Sequence, residues 1–227
     1  MAVMTLPRST IGKKVIMSVT GAIWVGFLVF HMYGNLKVFG GADYFNAYSD
    51  GLRHIGAPIF GAFHLLWVVR IVLIVAVVLH VWSAIDLTQA ARRARPQKYV
   101  LKKNIHADYA AVTIRYGGAV IFFFLLYHLA QFTWGIRGFH PDFIPGNAYH
   151  NLVIGFQNPL NVLLYLIALV VVGLHLYHGT WSMFQTLGFN NQKYDNSLRN
   201  LALALGVLIP LGFALTPLAV LFGVITL

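Results

Sequence analysis

The 227-residue chain is 59% apolar and only 10% charged, against roughly 25% charged in an average soluble domain, which excludes an ordinary soluble protein. Its 16 Lys and Arg face 6 acids, all of them Asp, for a formal net charge of +10, and there is no Glu. The absence of Cys excludes a disulfide, a Cys-ligated iron–sulfur cluster, a thiolate nucleophile and a haem thiolate, so redox chemistry here would rest on histidine or an organic cofactor.

A helix crossing a hydrocarbon core about 30 Å thick needs about 20 apolar residues. Five stretches between charges meet that need, and they predict an all-α integral membrane bundle of five transmembrane helices in a single domain over 1–227. The first covers residues 15–36, between Lys14 and Lys37. It is longer than a secretory apolar region, Asn35 and Lys37 follow it, and no small-residue cleavage site appears, so it reads as a retained helix. The second covers 58–85, interrupted only by Arg70; the third, 113–136, lies between Arg115 and Arg137. The fourth, 159–187, follows a polar, Pro-containing connection, and the fifth, 201–226, carries Pro210 and Pro217, which should kink it. No soluble domain, heptad array or fixed-period repeat is visible.

Positive charge orients the spans. Arg8, Lys13 and Lys14 precede the first; Arg92, Arg93, Arg95, Lys98, Lys102 and Lys103 fill the second connection, with Arg115 at its edge; Lys193 and Arg199 lie in the fourth. The opposite side carries only Lys37, Arg53 and Arg137, which predicts a cytoplasmic N-terminus and a C-terminus outside. The basic excess calls for no nucleic acid: it fits orientation and contact with anionic membrane lipid, or a docking surface for a cytoplasmic partner.

Ten His in so apolar a chain are the feature left to explain. His31 lies about 25 Å along its helix from Lys14 and His128 about 20 Å beyond Arg115, so both fall toward the outer side. Spans two and four run inward and place His80, about 9 Å before Asp86, and His175 in the inner half. Four successive helices thus each offer an imidazole, two at an outer and two at an inner level. Facing imidazoles suit a six-coordinate haem iron. Zinc normally takes three or four ligands with Cys or carboxylate helping, and a membrane proton relay usually includes an acid, which the spans lack. Two bis-histidine b haems are the reading these residues favour. His178, three residues after His175 on the same helix face, competes for the inner iron or sits nearer its propionates.

Gly21, Gly26 and Gly34 around His31, and Gly173 and Gly179 around His175, would let backbones approach a flat macrocycle or a neighbouring helix. Arg70 is an intramembrane guanidinium without an intramembrane carboxylate, a need that a haem propionate would meet; snorkelling to the surface is the alternative. His64 is an outer surplus suited to a propionate, a quinone carbonyl or structure. His54, His106, His140 and His150 fall in connections and read as structural.

The run His31-Met-Tyr-Gly-Asn-Leu36, followed by Phe39-Gly40 and Phe45-Asn-Ala-Tyr48, resembles the first helix and outer loop of the cytochrome b subunit of succinate dehydrogenase. Gly173-Leu-His-Leu-Tyr-His-Gly-Thr-Trp-Ser-Met-Phe-Gln-Thr-Leu-Gly188 resembles the end of that family's fourth helix. The likeness is to the single-subunit, five-helix, two-haem type and covers nearly the whole chain. It implies two haem b groups, an outer one ligated by His31 and His128 and an inner one by His80 and His175, the small-residue and Trp segment after the ligand matching His175 better than His178. It also implies a flavoprotein and an iron–sulfur protein docked on the cytoplasmic face, a higher oligomer of the complex being open, and a place in the cytoplasmic (inner) membrane. Electrons from succinate would pass through flavin and clusters to the haems and on to a membrane quinone, usually menaquinone. A fumarate reductase, or another quinone-linked dehydrogenase or hydrogenase, would use a similar subunit, and a haem-free transporter or structural anchor is the contrasting class. Candidate contacts to quinone or propionate are Tyr44, His64 and Arg70 on the outer side and Lys13, Ser18 and Arg115 on the inner. A proton route through Glu side chains, as in some relatives, does not transfer to a chain with no Glu.

Overall fold

Ser9 accepts a hydrogen bond from the Gly12 N–H at 3.0 Å and caps the first long helix, α1, Thr10–Leu36. The computed structural model describes residues 9–94 and 109–227, and the regular elements among them are all helical. After α1 come a 3-10 turn over Lys37–Gly40, the short helix α2 (Ala42–Gly51) and a second 3-10 turn over Leu52–His54. Helix α3 covers His64–Arg93, and α4 covers Tyr109–His128 before running into a π-helical turn over Leu129–Thr133. Helices α5 (Ala148–Gln157) and α6 (Pro159–Thr186) meet at Asn158, whose side chain accepts from the Leu160 N–H at 2.9 Å. Pro159 takes the first turn of α6, where its missing N–H leaves nothing unpaired. The last helix, α7, covers Asp195–Leu221.

Among the described residues, α1, α3, α4, α6 and α7 are long and apolar enough to cross a membrane, which marks a multi-pass membrane protein. Their outward faces suit lipid: Phe123 is 69% exposed and Val170 64%.

The helices differ from the apolar stretches at their ends. Helix α3 begins at His64 rather than 58, because Gly56 and Phe63 take positive φ of 87° and 69° and hold the preceding segment in turns. It then runs on to Arg93, past the apolar limit at 85, since charged residues propagate a helix readily once outside lipid. Helix α1 starts at Thr10 for the same reason. The third span ends at Thr133 rather than 136, and the fifth lies at Asp195–Leu221 rather than 201–226, an Asp-led first turn at its start and a Phe222 cap at its end. The connections hold two short helices, α2 and α5, that the span pattern did not predict. Arg8, Arg95, Lys98, Lys102, Lys103 and His106 lie outside the described residues.

Helices α6 and α7 form the tightest pair. A β-carbon on Gly173 would come 2.6 Å from the Gly206 carbonyl oxygen, and one on Gly206 would come 2.9 Å from that of Gly173. Gly173 therefore serves the approach of two helices. Helix α1 packs on α3, α6 and α7; α3 leans on α1, and α4 on α6. Among the described residues, neither α1 with α4 nor α3 with α6 is a packed pair.

One end of the bundle is capped. Val38, Phe45, Leu152, Val153, Phe156, Val162, Tyr165, Ala219, Val220 and Ile225 form its buried core, drawn from the 3-10 turn after α1, from α2 and α5, the start of α6, and the end of α7 with the segment that follows it. Polar side chains lock this cap: Asn46 donates to Asn147 Oδ1 at 3.1 Å and accepts from the Tyr149 N–H at 2.9 Å, while the Tyr149 hydroxyl donates to the Thr226 carbonyl at 2.8 Å. The other end carries Lys14, Arg92, Arg93, Lys193 and Arg199 on its surface, with Lys13 paired to Asp86.

Candidate functional site

Two histidine pairs sit at two levels of the bundle. His31 of α1 and His128 of α4 have ring centroids 5.9 Å apart with planes at 81°. His80 of α3 and His175 of α6 have centroids 6.2 Å apart with planes at 56°. Among the described residues, the two helices that each pair joins share no extensive contact of their own. A β-carbon at Gly21 would lie 3.4 Å from His80 Cε1, and one at Gly118 would lie 3.7 Å from His175 Cε1. His31 is ten residues beyond Gly21 and His128 ten beyond Gly118, so along both α1 and α4 the two levels lie about 15 Å apart.

The 6.2 Å separation of His80 and His175 equals that of two imidazoles opposed across a metal, and the 5.9 Å of His31 and His128 falls slightly short of it. With metal–nitrogen bonds of about 2.0–2.1 Å and about 1.1 Å from each nitrogen to its ring centre, opposed imidazoles have centroids about 6.2–6.4 Å apart. Among the described residues no three His, Cys, Asp or Glu cluster as a metal site, so a metal held by either pair would take two protein donors and would need its other ligands from a group such as a porphyrin, which supplies four.

Hydrogen bonding sets the ring nitrogens at two of the four positions. His80 Nδ1 lies 3.1 Å from the Met17 carbonyl, a contact that requires Nδ1–H to donate and leaves Nε2 with its lone pair. Thr20, whose hydroxyl donates to the Ile16 carbonyl at 2.7 Å, also faces that nitrogen at 3.2 Å. On the other level His128 Nδ1 lies 3.1 Å from the Tyr165 hydroxyl, which donates to Gln131 Oε1 at 2.8 Å. His31 is stacked on Phe27, centroids 5.1 Å apart and planes 13° apart, and also faces Phe213. Among the described residues, His175 Nδ1 is buried without a hydrogen-bond partner. These residues fit a haem at each level, one that His31 and His128 would hold and one that His80 and His175 would hold.

The remaining sequence candidates are dispersed. His178 lies one turn beyond His175 and is itself engaged in an interaction. Half-buried Arg70 stacks on Trp67, 5.0 Å from its ring centre, with no carboxylate in ion-pair reach among the described residues. It lies ten residues before His80 on α3, about 15 Å toward the capped end and so level with the His31 turn of the antiparallel α1. His64 is exposed at the start of α3, and Arg115 is exposed on α4. Lys13 is paired with Asp86, Ser18 is buried on α1, and Tyr44 accepts from the Lys37 ammonium at 2.9 Å. That ammonium also lies 4.6–5.1 Å from the ring centres of Tyr33, Tyr48 and Tyr44, so Tyr44 belongs to a tyrosine cage at the end of α1. His140 is buried and donates to the Asn151 carbonyl at 2.8 Å; His54 and His150 contact the Asp50 and Asp142 carbonyls.

Sequence reasoning missed Met17, Thr20, Tyr165 and Gln131. Tyr165 and Gln131 carried one signal, as polar side chains within otherwise apolar spans; a main-chain acceptor such as Met17 carries none.

No family model, curated protein or solved structure matches the chain.

Proposed function

We propose that this chain is the dihaem cytochrome b membrane anchor of a succinate:quinone oxidoreductase. The observation that supports the reading above others is the pair of cross-helix imidazole separations, 5.9 and 6.2 Å, between helices that share no extensive contact of their own among the described residues. His31 and His128 hold one b haem and His80 and His175 the other. Bound there, the two haems supply one-electron carriers in sequence across the membrane. The chain's own residues hold and orient: Met17 and Thr20 fix His80, Phe27 braces His31, and Arg70 offers a guanidinium to a propionate near the outer level. The basic end, with Lys14, Arg92, Arg93, Lys193 and Arg199 on its surface, is the cytoplasmic face that receives an iron–sulfur protein and a flavoprotein, and the capped end with the C-terminus lies outside. The membrane is the cytoplasmic (inner) membrane, and the electron acceptor is a quinone, menaquinone by the resemblance.

The test is purification of the tagged chain from a haem-supplied host that carries its native partners. Low-spin b-type absorption at two haems per chain, with co-purifying flavin and iron–sulfur subunits, is the expected result. A haem-free preparation sinks the proposal; two haems with a hydrogenase or formate dehydrogenase partner would reassign the complex.

A further inference from the structure

Helix α4 does not end as an α-helix. Beyond His128 it widens into a π-helical turn, in which the Trp134 N–H donates to the Leu129 carbonyl at 2.8 Å, five residues back, and the Ile136 N–H to the Ala130 carbonyl at 2.9 Å. Such a turn takes up one residue more than an α-helical turn and swings the residues beyond it by about 100° around the axis. Within it lies Gln131, fully buried, whose Oε1 accepts from Tyr165 of α6 at 2.8 Å. Tyr165 is itself only 7% exposed and is ringed by Phe124, Phe132 and Phe156. Its hydroxyl has one hydrogen. With that hydrogen given to Gln131, the oxygen can only accept from His128 Nδ1, 3.1 Å away, which puts the imidazole hydrogen on Nδ1 and the lone pair on Nε2. The reverse polarity, amide to hydroxyl to imidazole, would put the hydrogen on Nε2 and spoil that nitrogen as a ligand.

We propose that Gln131 and Tyr165 are positioning residues that fix the tautomer and ring orientation of His128, and through it tune the haem held by His31 and His128. The inference rests on the dihaem reading above. Among the described residues the other level has no equivalent on α6, where His175 Nδ1 is buried with no hydrogen-bond partner. The relay therefore acts on one haem of the two. An imidazole whose Nδ1–H donates is a stronger donor to iron and favours the ferric state, so loss of the acceptor raises that haem's midpoint potential.

The experiment is a redox titration and low-temperature EPR of the purified complex bearing Tyr165→Phe, Gln131→Leu or Gln131→Glu. A wild-type complex without two low-spin haems removes the dihaem reading itself, before any variant is compared. With two haems present, Tyr165→Phe and Gln131→Leu are expected to raise one midpoint potential and shift the corresponding low-spin g value, with the other haem unchanged. Gln131→Glu, which keeps an acceptor oxygen for Tyr165, is expected to restore the wild-type signature. Should Tyr165→Phe simply lose that haem, the contrast between Gln131→Leu and Gln131→Glu still decides. Unchanged potentials and spectra in both Tyr165→Phe and Gln131→Leu, equal shifts of both haems, or no difference between the two Gln131 variants would overturn the proposal.

Discussion

His80 on α3 and Met17 on α1 are joined by a hydrogen bond of 3.1 Å from the imidazole Nδ1 to the main-chain carbonyl. The contact does two things at once. It settles which nitrogen of His80 keeps a lone pair, and it ties the site to the span on which α3 packs. A carbonyl inside a helix already accepts along the helix axis, and its second lone pair is what reaches His80.

On the proposed dihaem reading, His31→Ala should halve the haem content by removing the outer haem alone, and His80→Ala should do the same for the inner. His175→Ala, whose ring faces His80 at 6.2 Å, should match His80→Ala, while His178→Ala should retain both haems. Haem-to-protein ratios and reduced-minus-oxidised spectra check each variant; a retained inner haem in His175→Ala with its loss in His178→Ala would reverse the assignment.

The two pairs differ in ring orientation, 81° for His31 and His128 against 56° for His80 and His175. If His31 and His128 hold a haem with their ring planes near perpendicular, its iron dπ orbitals would be nearly degenerate and its low-spin spectrum the more anisotropic, so the larger g-max should belong to the haem that His31→Ala removes. EPR of the two single variants reads this directly.

Gly173 and Gly206 touch through main-chain atoms, and a β-carbon at either meets a carbonyl rather than a flexible side chain. Gly173→Val should therefore separate α6 from α7 and lower stability by about 1–3 kcal/mol or more. Thermal unfolding in detergent should show a fall in Tm, whereas Gly26→Ala, with nothing within 4 Å of the added carbon, should leave Tm close to wild type.

Lys13 and Asp86 link the start of α1 to the end of the apolar part of α3, with Asp86 38% exposed. Screening at such a site limits the pair to about 1 kcal/mol or less. Asp86→Asn should cost no more than this in stability, with a smaller difference at high salt, as read from Tm. A loss several times larger would show that Lys13 is desolvated far more deeply than its surroundings indicate.

Arg70 stacks on Trp67 and has no carboxylate in reach among the described residues. If it meets a propionate, Arg70→Gln should weaken retention of the outer haem while leaving the inner one in place, as followed by haem loss to apomyoglobin. Equal retention of both haems would leave Arg70 as a stacked interface residue.

The number and approximate place of the spans were legible without any tertiary information, because apolar length is simply matched against bilayer thickness. Helical rise alone also put His31 with His128 and His80 with His175 in depth, since each step along a helix is a fixed distance. Helix ends were less legible: Lys14 and Asp86 lie inside helices although they end the apolar runs, and α2 and α5 are short amphipathic pieces that no span criterion detects. Which side chains meet was left to the packing of the helices. Packing turned Gly173 toward Gly206 rather than a cofactor, drew Tyr44 into the cage around Lys37, and brought Tyr165 and Gln131 behind His128. The reason is geometric: depth follows from position along one helix, whereas rotation about the helix axis is fixed by its neighbours.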